Sequence, residues 1–367
     1  MNVLIAGGGT AGHVFPALAV ARRLAEGGAE VRFAGTERGQ EARLVPAAGF
    51  PFTPVEARPF VRKVSLRAAA APWAALRSVG QCRPLVDWAD VVLGMGGYVS
   101  VPASLAAIRS RRRLVLHEQN AVPGLANRTL ARAARTVALS FGEAAKLLPK
   151  RARTVVTGNP VRDEIVAVQA DREALAKEAR AELELEEGRT TVVVFGGSQG
   201  ALHVNQAAAD AFGILRGRGD LQVVVLTGPA HIDHVRRRLP VGGDLLVRAL
   251  PFLDRMELAY AVADLVVARA GATTVAEVTV CGLPSLLVPY PYATARHQEA
   301  NARILQRAGA ATVVMDDALS GPVLAARIGE LASDLGRLRA MAERAAAWGR
   351  PDAARALATV VEDAGEP

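Results

Sequence analysis

Short apolar runs closed by glycine or a polar residue alternate along this chain with longer stretches in which apolar positions recur at helical spacing. In the first half the runs are NVLIAG, AEVRFAG, ADVVLGMG, RRLVLHEQ, RTVALS and RTVVTGNP, separated by segments such as FPALAVARRLAEGG. Buried-looking strands alternating with helices predict a parallel sheet covered on both faces. The second half repeats the plan with TVVVFGG, LQVVVLTGP, DLLVRALPF, ADLVVARAG, PSLLVPY and ATVVM. The fold class expected is therefore α/β, with two doubly wound domains facing one another and a ligand cleft between the carboxyl ends of their strands.

The expected boundaries are residues 1–161 for the first domain and 162–345 for the second. A terminal helix of about 346–367, broken at Pro351, is expected to return to the first domain. The charged segment DREALAKEARAELELEEGR reads as a solvated helix and linker. Between Glu56 and Pro84 the periodicity weakens. There Phe60, Val61, Val64, Leu66, Trp73 and Leu76 are interleaved with Arg58, Arg62, Lys63, Arg67 and Arg77, a pattern suited to an anionic membrane surface.

Composition narrows the partners. A net charge of +8 over 367 residues favours an acidic partner: phosphates, an anionic membrane or nucleic acid. Aromatic residues make up only 4%, and neither an RNP-like aromatic run nor Cys/His finger spacing occurs, so no nucleic acid is expected. Cys82 and Cys281 each sit among apolar residues and read as buried free thiols. MNVLIAGGG enters a strand directly, and no apolar stretch reaches the ~18 residues of a spanning helix. A cytoplasmic protein, peripherally bound to the inner face of the cell membrane, is the expectation.

Glycine loops carry the candidate chemistry. Gly7, Gly9 and Gly12 satisfy GxGxxG between a strand and a helix, and Glu37 lies near the end of the second strand, so an NAD-dependent oxidoreductase is a competitor. Against it, His13 follows the last glycine directly, and an equivalent loop with Ser198 and Gln199 recurs in the second half. GMGGYVSVP and HEQN follow two further strands, so their polar residues converge on one sheet edge. In RAGATTVAEV a helix begins after Gly271 with Thr273 and Thr274. Open amides there suit an anion, and Glu277 one turn on suits a diol such as ribose. The turn after PSLLVPYP supplies Arg296, His297, Gln298 and Asn301. His231 and His234 have metal-like spacing but precede three arginines on what reads as an exposed helix. With neither DxD nor HExxH present, no metal and no cofactor is expected.

Taken in order, GGGTAGHVFPALAVA, GMGGYVSVP, LHEQNAVPGLANR, VTGNPVR, FGGSQGALHVN and RAGATTVAEVTVCGLPSLLVPYP with HQEANA resemble the peptidoglycan N-acetylglucosaminyltransferases that make lipid II from lipid I. The resemblance covers nearly the whole chain. It implies a GT-B fold and an inverting transfer of N-acetylglucosamine from UDP-GlcNAc to the 4-hydroxyl of the muramoyl sugar of lipid I. It further implies a donor set of Gly196, Gly197, Ser198, Gln199, Phe252, Leu253, Arg269, Thr273, Glu277, His297 and Gln298. Phe252 and Leu253 would lie against uracil and Glu277 on the ribose. Thr10, Gly12, Asn120 and Arg162 would complete that set from the N-terminal side. Tyr98, Ser100, Glu118 and Asn159 would meet the acceptor, with His13 as first and His117 as second candidate for the base. Ala11 and Val101 stand where relatives commonly carry glycine. A UDP-sugar epimerase and a non-catalytic nucleotide-sugar binding subunit complete the alternatives.

Overall fold

The computed structural model describes residues 1–57, 71–197 and 200–366. It divides into two compact units, Met1–Arg162 with Pro351–Pro367, and Asp163–Arg350.

The first unit holds a seven-stranded parallel sheet. Its strands are β1 (Asn2–Ala6), β2 (Glu30–Gly35), β3 (Phe52–Pro54), β4 (Val91–Gly94), β5 (Arg113–Glu118), β6 (Thr136–Leu139) and β7 (Thr154–Val156), in the order β3-β2-β1-β4-β5-β6-β7. The registers set Val3 beside Val31 and Val91, and Val92 beside Leu114. Both faces are covered, as the unbroken apolar strands require. Val3, Ile5, Leu93 and Val115 pack on one side with Leu18 and Leu24 of helix Ala11–Glu26. The same layer includes Leu357 and Val361 of the terminal helix Ala353–Gly365. Leu4, Val92, Leu114 and Leu116 face the other layer, with Val86 and Ala103. Of these strands only β3 escaped the sequence pattern: three residues at a sheet edge carry too short an alternation to register.

The second unit has a six-stranded parallel sheet of β8 (Thr190–Phe195), β9 (Leu221–Leu226), β10 (Leu246–Leu250), β11 (Leu265–Ala268), β12 (Ser285–Leu287) and β13 (Ala311–Val313), ordered β10-β9-β8-β11-β12-β13. Val192, Val194, Val223, Val225 and Val267 pack against Phe212, Leu324 and Ile328. The charged helix Arg172–Glu182 is less solvated than its composition suggests. It buries Ala176 and Ala179, and its neighbour is helix Met256–Val262. Small residues on one side of an otherwise charged helix are enough to dock it. Cys82 and Cys281 are buried free thiols. Among the described residues no helix is long and apolar enough to cross a membrane.

Candidate active site

In each sheet the strand order reverses near the centre, between β1 and β4 in the first unit and between β8 and β11 in the second. Loops leaving the carboxyl ends of two such strands diverge and open a crevice at that edge, the place where doubly wound folds hold ligands.

In the first unit those loops carry the β1 glycines and the Gly94–Ser100 segment. Thr10 is extended ahead of helix Ala11–Glu26 and does not cap it. Its Oγ1 lies 3.1 Å from His13 Nδ1 instead. His13 is half-buried, and its Nε2 is 3.7 Å from where a Cβ on Gly97 would stand. Tyr98, 38% exposed, has its ring 3.9 Å from the corresponding point on Gly9. Thr10, Gly12, His13 and Tyr98 are thus gathered at one sheet edge.

His117, at the end of β5, is fully buried. Its Nε2–H donates to the Gly158 carbonyl at 3.2 Å, with Ser140 Oγ at 3.4 Å, and among the described residues Nδ1 has no hydrogen-bond partner. Burial is the main cause that lowers its pKa to about 4, so the ring is neutral at pH 7. Glu118 accepts from the amides of Asn120 (2.9 Å) and Gly124 (3.0 Å) and from Asn127 Nδ2 (2.8 Å), while burial pushes its carboxyl up. Two residues expected to meet the acceptor are therefore committed to the scaffold. Glu118 ties down its own loop, and Ser100, fully buried, donates to the Gly97 carbonyl at 3.0 Å. Asn159 behaves differently: it is 4% exposed, and among the described residues neither of its amide atoms has a hydrogen-bond partner. The Arg162 guanidinium lies 4.5 Å from the Phe15 ring centre.

In the second unit, helix Ala272–Val280 starts beyond β11 at an extended Gly271 with no side-chain cap, and Thr273 lies in its first turn. Glu277 is buried on this helix and accepts from the Tyr260 hydroxyl at 2.8 Å. Phe252 is 52% exposed, whereas Leu253 is buried. His297 Nδ1–H donates to the Thr294 carbonyl at 2.8 Å, which leaves Nε2 as an acceptor; burial lowers its pKa. Gln298 Oε1 accepts from the Tyr290 amide at 2.9 Å, leaving its amide NH2 as the donor end. Arg269, expected in the donor set, is 8% exposed. Its Nη1 is engaged by the Val288 and Pro289 carbonyls at 3.2 Å and by Asp316 Oδ1 at 2.5 Å, so it braces the strand ends. Gly196 and Gly197 close β8, while Ser198 and Gln199 lie outside the described residues. Among the described residues no group of three or more His, Cys, Asp or Glu side chains could hold a metal ion.

Sequence reasoning missed Glu41, Asn127, Tyr260 and Asp316. Each acts on a residue distant in the chain, so no local spacing marks it. Glu41 is the sharpest case. The sequence drew attention to Glu37 near the end of the second strand, but it is Glu41 whose Oε2 accepts the Gly9 amide at 2.7 Å.

Residues 3–139 match the model of the glycosyltransferase family 28 N-terminal domain, and residues 191–357 that of its C-terminal domain. The UDP-N-acetylglucosamine–N-acetylmuramyl-(pentapeptide) pyrophosphoryl-undecaprenol N-acetylglucosamine transferase of Halothermothrix orenii is 41% identical, over 99% of this chain and 99% of its own. The transferase of the same description from Moorella thermoacetica is 43% identical, over 98% of each. Among solved structures, MurG of Acinetobacter baumannii is 30% identical, covers 99% of both chains and superposes with a TM-score of 0.78.

Proposed function

Because this chain belongs to glycosyltransferase family 28, we infer that it transfers N-acetylglucosamine from UDP-GlcNAc to the 4-hydroxyl of the muramoyl sugar of lipid I, giving lipid II and UDP in peptidoglycan biosynthesis. The observation that carries this is a likeness of 41% to a transferase of that description over the whole of both chains. The two-unit α/β make-up is that of the GT-B class.

The reaction forms a bond between the acceptor oxygen and the anomeric carbon, with inversion, and breaks the bond from that carbon to UDP. The acceptor proton must go to a base and UDP must leave with its charge stabilised. His13 is assigned the proton. It is half-buried at the β1/β4 edge, with Thr10 Oγ1 3.1 Å from its Nδ1, and Nε2 is assigned to the acceptor hydroxyl. His117 is the second choice, since its burial disfavours the charged ring that proton uptake would produce. Tyr98 and Asn159 are assigned to the acceptor; Asn159 has a donor and an acceptor that the described residues leave unused.

On the donor side the start of helix Ala272–Val280, with Thr273, is assigned to the pyrophosphate and Glu277 to the ribose diol. Phe252 offers an exposed face to uracil, while His297 and the Gln298 amide offer an acceptor and a donor to the sugar. Leu253, which is buried, is assigned to the uracil with Phe252. Gly196, Gly197, Ser198 and Gln199 are assigned to the nucleotide, and Thr10, Gly12, Asn120 and Arg162 remain with the donor set. The dehydrogenase alternative fares worse, because the Gly9 amide that a dinucleotide pyrophosphate would need is already bonded to Glu41.

For the membrane, the segment from Arg58 to Arg77 is assigned to an anionic surface on its composition. Residues 58–70 lie outside the described residues, and Arg77 stands 3.7 Å from Glu56. Replacing Arg62, Lys63 and Arg67 together should weaken binding to anionic vesicles; unchanged binding sinks the assignment. The test of function is incubation with UDP-GlcNAc and a lipid I analogue. UDP release that depends on both supports the transferase, and release without acceptor, or none, overturns it.

A further inference from the structure

Glu41 opens the short helix Glu41–Ala47 and is only 1% exposed. Buried carboxylates are normally paired with a cation, yet among the described residues no Lys, Arg or His pairs with this one. Its oxygens are satisfied in another way. Oε2 accepts the Gly9 amide at 2.7 Å, and Oε1 accepts the Thr36 amide at 2.8 Å and the Thr36 hydroxyl at 2.7 Å. Three glycines make the room. A Cβ on Gly8 or Gly39 would come within 2.1 Å of the carboxylate, and one on Gly35 within 2.5 Å of Glu41 Cγ. Two loops, after β1 and after β2, are therefore moulded around one negative charge, as phosphate-binding loops are moulded around a phosphate.

We propose that Glu41 is a positioning residue for the acceptor side of the reaction, a built-in anion that fixes the β1 glycine loop and, through Gly9 and Thr10, the His13 ring. The link is short. Gly9 is held by the carboxylate and is bonded to Thr10, whose hydroxyl meets His13 Nδ1. Gly9 has a left-handed φ of +86°, one of several conformations open to a glycine, so its amide needs a partner to hold the loop in this one. The carboxylate supplies that support from across the sheet edge, and the proton-accepting Nε2 inherits its placement. This rests on the assignment of His13 as the base.

The test compares the parent with Glu41→Ala and with the isosteric Glu41→Gln, whose NH2 must oppose one of the donors that the carboxylate satisfies. Turnover should fall about tenfold or more in both, as for misplacement of a reacting group, with a smaller change in KM for UDP-GlcNAc, because Thr10 and Gly12 share the loop while the rest of the donor set lies largely in the second unit. In Glu41→Ala the emptied cradle should accept formate. Excess sodium formate, but not sodium chloride at equal ionic strength, should restore turnover and return the His13 imidazole ¹⁵N shifts toward those of the parent. Parent-like turnover in Glu41→Gln, or His13 shifts identical in parent and Glu41→Ala, overturns the proposal. If Glu41→Ala fails to fold, Glu41→Gln carries the test through the split between turnover and KM together with the His13 shifts. Absence of acceptor-dependent UDP release in the parent would instead count against the transferase; the His13 shifts read the Glu41 contact independently of activity.

Discussion

The phenolic hydroxyl of Tyr260 donates to Oε2 of Glu277 at 2.8 Å. Tyr260 is fully buried and meets the Phe195 ring edge-on, with centroids 6.1 Å apart, so the donor cannot swing away from the carboxylate. A carboxylate fixed in this way meets a diol with little orientation left to lose on binding.

Tyr260→Phe keeps the ring and removes only that donor. A hydrogen bond to a charged group is worth about 1.5–3 kcal/mol, so the Kd for UDP-GlcNAc should rise on the order of tenfold while turnover at saturating donor stays near that of the parent. Glu277→Ala should weaken the donor further. Calorimetric titration measures both; an unchanged Kd in either variant removes Glu277 from the ribose.

The two histidines should separate in kinetics. His13→Ala should lower turnover by about 10²–10⁴-fold, the usual contribution of a positioned base, with little change in melting temperature because the ring is only half-buried. His117→Ala removes a buried ring bonded to Gly158 and should chiefly destabilise. Parent-like turnover in His13→Ala beside abolished turnover in folded His117→Ala would reverse the assignment.

Acid stability should report on His117. Burial depresses its pKa from 6.5 to about 4. Between those values the unfolded chain takes up a proton that the folded chain refuses. Its contribution is thus full above about pH 6.5 and is lost as pH falls toward 4, amounting to about 3 kcal/mol at most. Urea unfolding of the parent from pH 7 to pH 5 should show this loss, and His117→Gln should flatten it. Equal pH slopes in the two proteins would contradict a neutral buried ring.

Gly200 tests the second glycine loop. Its φ is +74°, and a Cβ there would stand 2.1 Å from the Thr227 carbonyl oxygen. Gly200→Ala must move the loop that follows β8, so UDP-GlcNAc affinity should fall by about tenfold or more, with a loss of stability of order 1–3 kcal/mol. Wild-type affinity measured by titration would detach this loop from the nucleotide.

Much of the fold was legible in the chain because its code is local. Runs such as NVLIAG and TVVVFGG are apolar on both faces and end in glycine, which selects buried parallel strands. All the runs read as strands form them, and the two loops at each reversal of strand order follow from where the glycines fall. Polar residues after strands likewise announced which side chains gather at the carboxyl edges, including His13, Tyr98 and Thr273.

What each of those side chains touches was not local. Glu41 reaches Gly9 only because β2 lies beside β1, and Tyr260 reaches Glu277 only because the helix before β11 packs near the helix after it. Arg269 looked like a ligand by type and position, yet its Nη1 is engaged by Asp316 and the strand-end carbonyls of Val288 and Pro289. The sequence by itself determined the elements, their parallel order of connection and the edge at which chemistry collects, since propensity and periodicity act within a few residues. Only the tertiary structure decided which polar groups there are braced and which are open, because a hydrogen bond between distant segments depends on strand order and burial, and neither is written in any single stretch of chain.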